Sequence, residues 1–291
     1  MTFAERLKTY RTQSGISQEK LAEKIGVSRQ AITKWETDRG MPDIENLTAI
    51  ARLFGVTLDR LVTGEKTVQN SNDFIYESRT EYDISGKKRY DIKIGSAKQI
   101  GISAHDGEKL TVRLASDLIY DLQRDLKIRI DDIRGRLDVN LLLSGDMTKT
   151  RCKEDLSVFI GIPRKYVSDI ELAANCGELK IGSLECENLE FDGKADAVII
   201  DGFSGELELN CNTDLSIDCR SFKGAVGINQ INSVSKIILP EVIEFSAVKK
   251  GIGNAVFFER NGSTCEPFDK EDAQNIIELN GMKSELYIIK G

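Results

Sequence analysis

Histidine is almost missing from this chain of 291 residues; His105 is the one example. A histidine-based metal centre is therefore not expected, since zinc sites gather several Cys and His ligands. No apolar run approaches the roughly 20 residues needed to span a bilayer. The N-terminus also lacks the apolar core of a signal peptide, and together these absences lead us to expect a cytoplasmic protein with no membrane partner. None of the six cysteines (Cys152, Cys176, Cys186, Cys211, Cys219 and Cys265) sits in a C-x-x-C pair. In a reducing compartment they read as packing thiols rather than disulfides. Signs of catalysis are missing too. Acidic pairs such as Asp131–Asp132 and Glu154–Asp155 stand without a nucleophile–base partner or a phosphate-cradling glycine loop. The chain is read as a non-enzyme, with no cofactor and no metal.

What is present describes an ordinary soluble protein with room for two domains: 40% hydrophobic, 30% charged. The formal charge of -7 is unevenly spread. Residues 1–64 hold 10 Lys/Arg against 8 Asp/Glu, while residues 65–291 hold 30 against 39. A slightly basic head has modest attraction for phosphates. The acidic remainder is repelled by a duplex and would point away from it.

The most informative stretch is residues 16–40, ISQEKLAEKIGVSRQAITKWETDRG. It reads as two short helices and a tight turn. Ser17 caps the first, with Leu21 and Ile25 facing inward at i, i+4. Gly26 breaks it, because glycine reaches the left-handed region at little steric cost. Val27 plugs the turn. Ser28 caps a second helix from Arg29 to about Thr37. Ile32 and Trp35 form its buried stripe, Trp35 as core filler. The other face carries Arg29, Gln30, Thr33 and Lys34, with no carboxylate among them. Such side chains suit a major groove, where Arg and Lys meet guanine acceptors and Gln meets adenine.

Around this pair, Thr2 and Glu5 form a capping-box pattern that starts a helix at Phe3, with Leu7 and Tyr10 inward and Gly15 at its end. Asp43 caps a helix from Ile44 to about Phe54, whose Leu47, Ile50, Ala51 and Phe54 make a core-facing stripe. Gly55 closes it, and Thr57 opens a last helix, Leu58 to Val62, stopped by Gly64. The expectation for 1–64 is a five-helix α domain.

These residues resemble the helix-turn-helix of the Cro and lambda-repressor class, the Xre family. The likeness rests on Gln18, Ala22, Gly26, the Val27–Ser28 step, Ile32, the Trp35–Glu36 pair and Pro42. It implies that Arg29, Gln30, Thr33 and Lys34 read base edges, and that Gln18, Ser28, Thr37 and Arg39 touch phosphates. Asp38 departs from the glycine or small polar residue usual there. The family further implies a transcriptional regulator, a repressor by analogy, bound as a homodimer to an inverted-repeat operator in double-stranded DNA.

Residues 65–73, polar and aperiodic, read as a linker. From Phe74 the texture becomes β-like alternation. Apolar pairs alternate over Tyr90–Ile94, Leu110–Leu114, Leu126–Ile130, Leu137–Leu141 and Leu156–Ile160; Asp117 to Leu126 leaves a helical turn open. Between 170 and 239 the pairs repeat: Ile170/Leu172, Leu189/Phe191, Leu207/Leu209 and Val226/Ile228, with Leu179/Ile181, Val198/Ile200, Leu215/Ile217 and Ile237/Leu239 between them. The starts are spaced by 18 or 19, the sign of a stacked coil. Residues 167–239 resemble bacterial adhesin-type β-solenoids. The expectation for 74–291 is an all-β domain, a β-solenoid of 18–19 residues per turn. Residues 74–166 and 240–291 would supply flanking turns and caps.

The β domain reads as an oligomerisation body or as a sensor of an unknown effector or protein partner. Its cysteines also allow a redox or metal sensor. Two other readings of the whole chain stay open: the antitoxin half of a toxin–antitoxin pair that autoregulates its promoter, and an interaction scaffold whose head docks protein.

Overall fold

The computed structural model describes residues 2–54, 56, 61–62 and 74–291. A helical N-terminal region is followed by a large all-β region. By contacts the chain separates into two units, Met1–Tyr76 with Ser116–Tyr120, and Glu77–Ala115 with Asp121–Gly291.

Four helices are complete in the first unit: α1 Phe3–Gln13, α2 Gln18–Ile25, α3 Arg29–Glu36 and α4 Ile44–Phe54. Their boundaries follow side-chain caps. Thr2 and Glu5 close the capping box on α1, Ser17 and Ser28 accept from Lys20 N and Ala31 N, and Asp43 accepts from Asn46 N. Each cap answers an amide that has no partner inside the helix. Gly26 ends α2 at φ +74°. Leu7, Leu21, Ile32, Trp35, Leu47 and Ile50 meet in one core, while Ile25, Val27, Tyr10 and Phe54 lie partly buried at its margin. The proposed cap Thr57, Gly55, Gly64 and the linker 65–73 lie outside the described residues. Leu61 and Val62 are helical, and Arg6 donates from Nε to the Leu61 carbonyl at 2.9 Å and from Nη2 to that of Val62.

The second unit is a stack of mostly parallel strands. Its long members are β2 Lys88–His105, β7 Val167–Asn210 and β8 Ser216–Ile231. Strand β7 runs parallel to β8 with Val198 on Ile217 and Leu207 on Val226. Between these two strands the advance is therefore 19 residues, so apolar side chains of successive turns lie over one another inside. The glycines confirm the step. A Cβ on Gly193, Gly205 or Gly224 would fall 1.8, 1.9 and 2.2 Å from the carbonyl oxygens of Ala174, Cys186 and Gly205, each 19 positions earlier. All the apolar pairs expected between 170 and 239 are buried.

One expectation needs correction. The rung resting on Val198 and Ile200 is Ile217/Cys219, not Leu215/Ile217; Leu215 is buried too, which hid the slip. The flanks also add turns to the stack. Tyr90 and Ile92 of β2 lie on Ile170 and Leu172, so β2 is a full rung entered before a long excursion. That excursion holds β3 Lys109–Ser116, a helical turn α5 Leu122–Asp125, the hairpin β4 Leu126–Ile133 with β5 Arg136–Leu143, a helix α6 Lys149–Asp155 and β6 Ser157–Pro163. Helix α6, capped by Thr148, carries no apolar stripe long enough to reveal it. A preceding strand, β1 Tyr76–Asp83, borders β3.

At the other end β9 Val234–Leu239 is followed by β10 Ser246–Lys249, β11 Ala255–Arg260 and β12 Ser263–Cys265. Then β13 Ile276–Met282 stacks on β8, with Leu279 on Ile228, and β14 Glu285–Lys290 stacks on β9, with Ile288 on Ile237. The cysteines are all unpaired thiols, and all but the half-buried Cys265 are buried.

Candidate nucleic-acid interface

Helix α3 begins where Ser28 Oγ accepts from Ala31 N at 3.2 Å. Its exposed side presents Arg29, Gln30, Thr33 and Lys34. The inner side is Ile32, Trp35 and a carboxylate, Glu36. Glu36 is i+4 from Ile32, so helical geometry carries it inward with the stripe. A buried carboxylate requires compensation. Arg11 of α1 provides it as a two-pronged pair, Nε to Oε1 at 2.6 Å and Nη2 to Oε2 at 3.0 Å. The Glu36 side chain is 2% exposed and that of Arg11 12%. Hydrogen bonding to Glu36 raises the Arg11 pKa above its ordinary value.

The same carboxylate holds Gln18, the first residue of α2, whose Nε2 donates to Glu36 Oε2 at 2.8 Å. Thr33 Oγ1 lies 3.3 Å from Gln18 Oε1 and 3.0 Å from the Arg29 carbonyl, and its proton serves one of them. Three helices thus converge on one carboxylate, and the exposed face of α3 is fixed in orientation from beneath.

The remaining expected contacts fall around this face. Thr37 is the C-cap of α3, and its hydroxyl donates to the Thr33 carbonyl at 2.7 Å. Asp38 follows at φ +58°, the left-handed position that ends many helices and that Asp and Asn tolerate better than most residues. This accounts for its place where a glycine is usual. Arg39 is exposed beyond it. Gln18 is only half-exposed, with one amide proton committed to Glu36. Among the described residues, Arg29, Lys34 and Arg39 make no side-chain hydrogen bond or ion pair.

Residues 7–61 match the helix-turn-helix family. Over 68 residues the chain is 46% identical to the HTH-type transcriptional activator BcrR of Enterococcus faecalis, covering 23% of this chain and 33% of BcrR. Over 123 residues it is 31% identical to the immunity repressor protein of Bacillus phage phi105, covering 42% of this chain and 83% of that one. The chain belongs to the helix-turn-helix family of transcriptional regulators. A solved structure described as a cell adhesion protein, from Clostridium sporogenes, overlays 74% of this helix-turn-helix protein and all of its own length, at 11% identity and a TM-score of 0.34.

Sequence reasoning placed the outward face of this helix-turn-helix and missed what stands beneath it. Arg11 and Glu36 are 25 residues apart. The available signal was Glu36 itself, a carboxylate on the apolar stripe of a helix, which demands a cation. Which cation answers depends on the packing of α1 on α3.

Proposed function

We propose that residues 1–64 are a DNA-reading head and residues 74–291 a body that pairs heads or senses a partner, together forming a transcriptional repressor without enzymatic activity. Arg29, Gln30, Thr33 and Lys34 would meet base edges in the major groove. Gln18, Ser28, Thr37 and Arg39 would meet phosphates, Gln18 through its remaining amide proton. Two heads would occupy an inverted repeat with half-sites roughly 34 Å apart. The observation that carries this reading is a cationic and amide-bearing helix face held by the Arg11–Glu36–Gln18 group, whose carboxylate is buried. Such preorganisation is what positioning several side chains against base edges requires.

The test is selection of bound duplexes from a random pool by the full chain. Enrichment should converge on an inverted repeat. Lys34→Ala or Arg29→Ala should then lose about 1–3 kcal/mol and relax one base position per half-site. A pool that never converges would sink the proposal.

A further inference from the structure

One hydroxyl shapes the segment Ser116–Tyr120, which belongs to the first unit. Ser116 is buried, and its Oγ accepts from Leu118 N at 3.1 Å and from Ile119 N at 2.9 Å. Ile119 is buried too, while Leu118 on one side of it is 51% exposed and Tyr120 on the other 66%. A closed turn thus holds two large apolar side chains at the surface.

They stand at the mouth of a cavity of about 530 Å³, within the roughly 300–1,000 Å³ of small-molecule sites. All of its lining residues lie in the first unit. On α4, Ala49, Arg52 and Leu53 follow at i, i+3 and i+4 and so share one face. Lys24 and Ile25 are the last two residues of α2.

The lining is chemically sorted. Ile25, Ala49, Leu53 and Leu118 are apolar, and Tyr76 and Tyr120 add rings on which another ring can stack. Lys24 and Arg52 are exposed, and among the described residues they make no side-chain hydrogen bond or ion pair. The lining holds one carboxylate, Asp117, whose Oδ1 already accepts from Ile75 N at 3.2 Å. Two cations against one engaged carboxylate leave a single positive charge beside apolar and aromatic walls. A singly charged carboxylate balances it, and the planar fork of Arg52 matches that group.

We infer that this pocket binds an aromatic carboxylate as the effector of the chain. The inference deepens the regulator reading and rests on it for the use of the ligand, not for its binding. The path to the DNA-reading helix is short. Ile25 is followed by Gly26, Val27 and then Ser28, the cap of α3. A carboxylate on Lys24 also cancels one positive charge of a head that has 10 Lys/Arg against 8 Asp/Glu. Occupancy therefore weakens the attraction to phosphates.

The experiment is calorimetric titration of the full chain with phenylacetate, indolylacetate and naphthylacetate, beside naphthylacetamide and naphthylethylamine. At least one acid should bind in a one-to-one ratio, and the amide and the amine at least about tenfold more weakly. Lys24→Gln/Arg52→Gln should weaken the acid by at least about tenfold, with an unchanged melt because both side chains are exposed. Three acids that fail to bind, an amide that binds as well, or a double variant that binds as wild type overturns the inference. On a duplex enriched by selection, the saturating acid should lower the affinity of wild type by at least about fivefold and leave that of the double variant unchanged. An acid that binds without changing that affinity overturns the effector role. Binding by a chain that enriches no duplex keeps the pocket and removes the regulator reading. Enriched duplexes with no acid bound do the reverse.

Discussion

Glu36 is where one residue decides the most. Its carboxylate is nearly sealed from water and takes three hydrogen bonds from Arg11 and Gln18. Glu36→Ala would leave a buried guanidinium unpaired, and removing one partner of a buried pair costs about 3–5 kcal/mol. Trp35, the only tryptophan, lies in the head's core, so its fluorescence during urea unfolding reports that loss without interference from the body. The double change Arg11→Met/Glu36→Leu should recover much of the stability, since an apolar pair of similar volume often replaces a buried ion pair at little cost. It should not recover operator affinity, because Gln18 stays without its anchor. The thiols make a second residue-scale case. Burial pushes Cys176, Cys186, Cys211 and Cys219 up to about 12. They should resist alkylation in the folded protein at pH 8 while Cys265 reacts, with all six reacting in denaturant. Fast labelling of these four would support a redox role. A thiol whose folded value is raised favours folding fully below its ordinary value near 9, and loses that contribution as pH climbs through about 12. These thiols should therefore erode stability across pH 9–12, which alkaline melts would show.

The β coil shows how an element is tuned by what its neighbours allow. Gly205 has φ +137°, and a Cβ there would sit 1.9 Å from the Cys186 carbonyl. Gly205→Ala should destabilise the body by about 3 kcal/mol or more, since backbone strain of 1–3 kcal/mol is added to a main-chain clash. Gly86, at φ +84° with nothing within 4 Å of a Cβ, should lose only about 1–2 kcal/mol as alanine. A thermal shift that ranks them equally would contradict stacking at 19 residues. Outside the coil a polar ladder runs in steps of 19 and 18 residues: Asn229 donates to Asn210 at 2.6 Å, and Asn210 donates to Asp192 at 2.9 Å. The repeat was legible between 170 and 239 because nothing interrupts it there. It was illegible at the flanks because Tyr90 and Ile170 are 80 residues apart, and Ile228 and Leu279 are 51 apart. A search for a fixed period cannot cross insertions of that length. The slip at Leu215 had another cause: three apolar residues, Leu215, Ile217 and Cys219, alternate in a row, so two phases bury equally well.

Across the whole molecule, charge sets how DNA would be approached. The head carries a net +2 and the remainder -9, so attraction rests on a few phosphate contacts. Operator affinity should fall with salt at about 0.9 decades per decade for each phosphate neutralised. Arg39→Ala should lower affinity on every sequence alike and reduce that slope by about one. If Arg39→Ala changed sequence preference instead, its side chain would be reading bases.

The sequence alone determined the caps, the helix breaks, the outward face of α3 and the apolar alternation of the coil. These are local: each follows from residues within a turn of helix or a few positions of strand. Tertiary structure alone decided that Arg11 answers Glu36, that Gln18 is held from below, and which distant strands complete the stack. Those are pairings of groups far apart in the chain. A buried charge or an unpaired strand edge announces a need for a partner, but only packing can say which partner meets it.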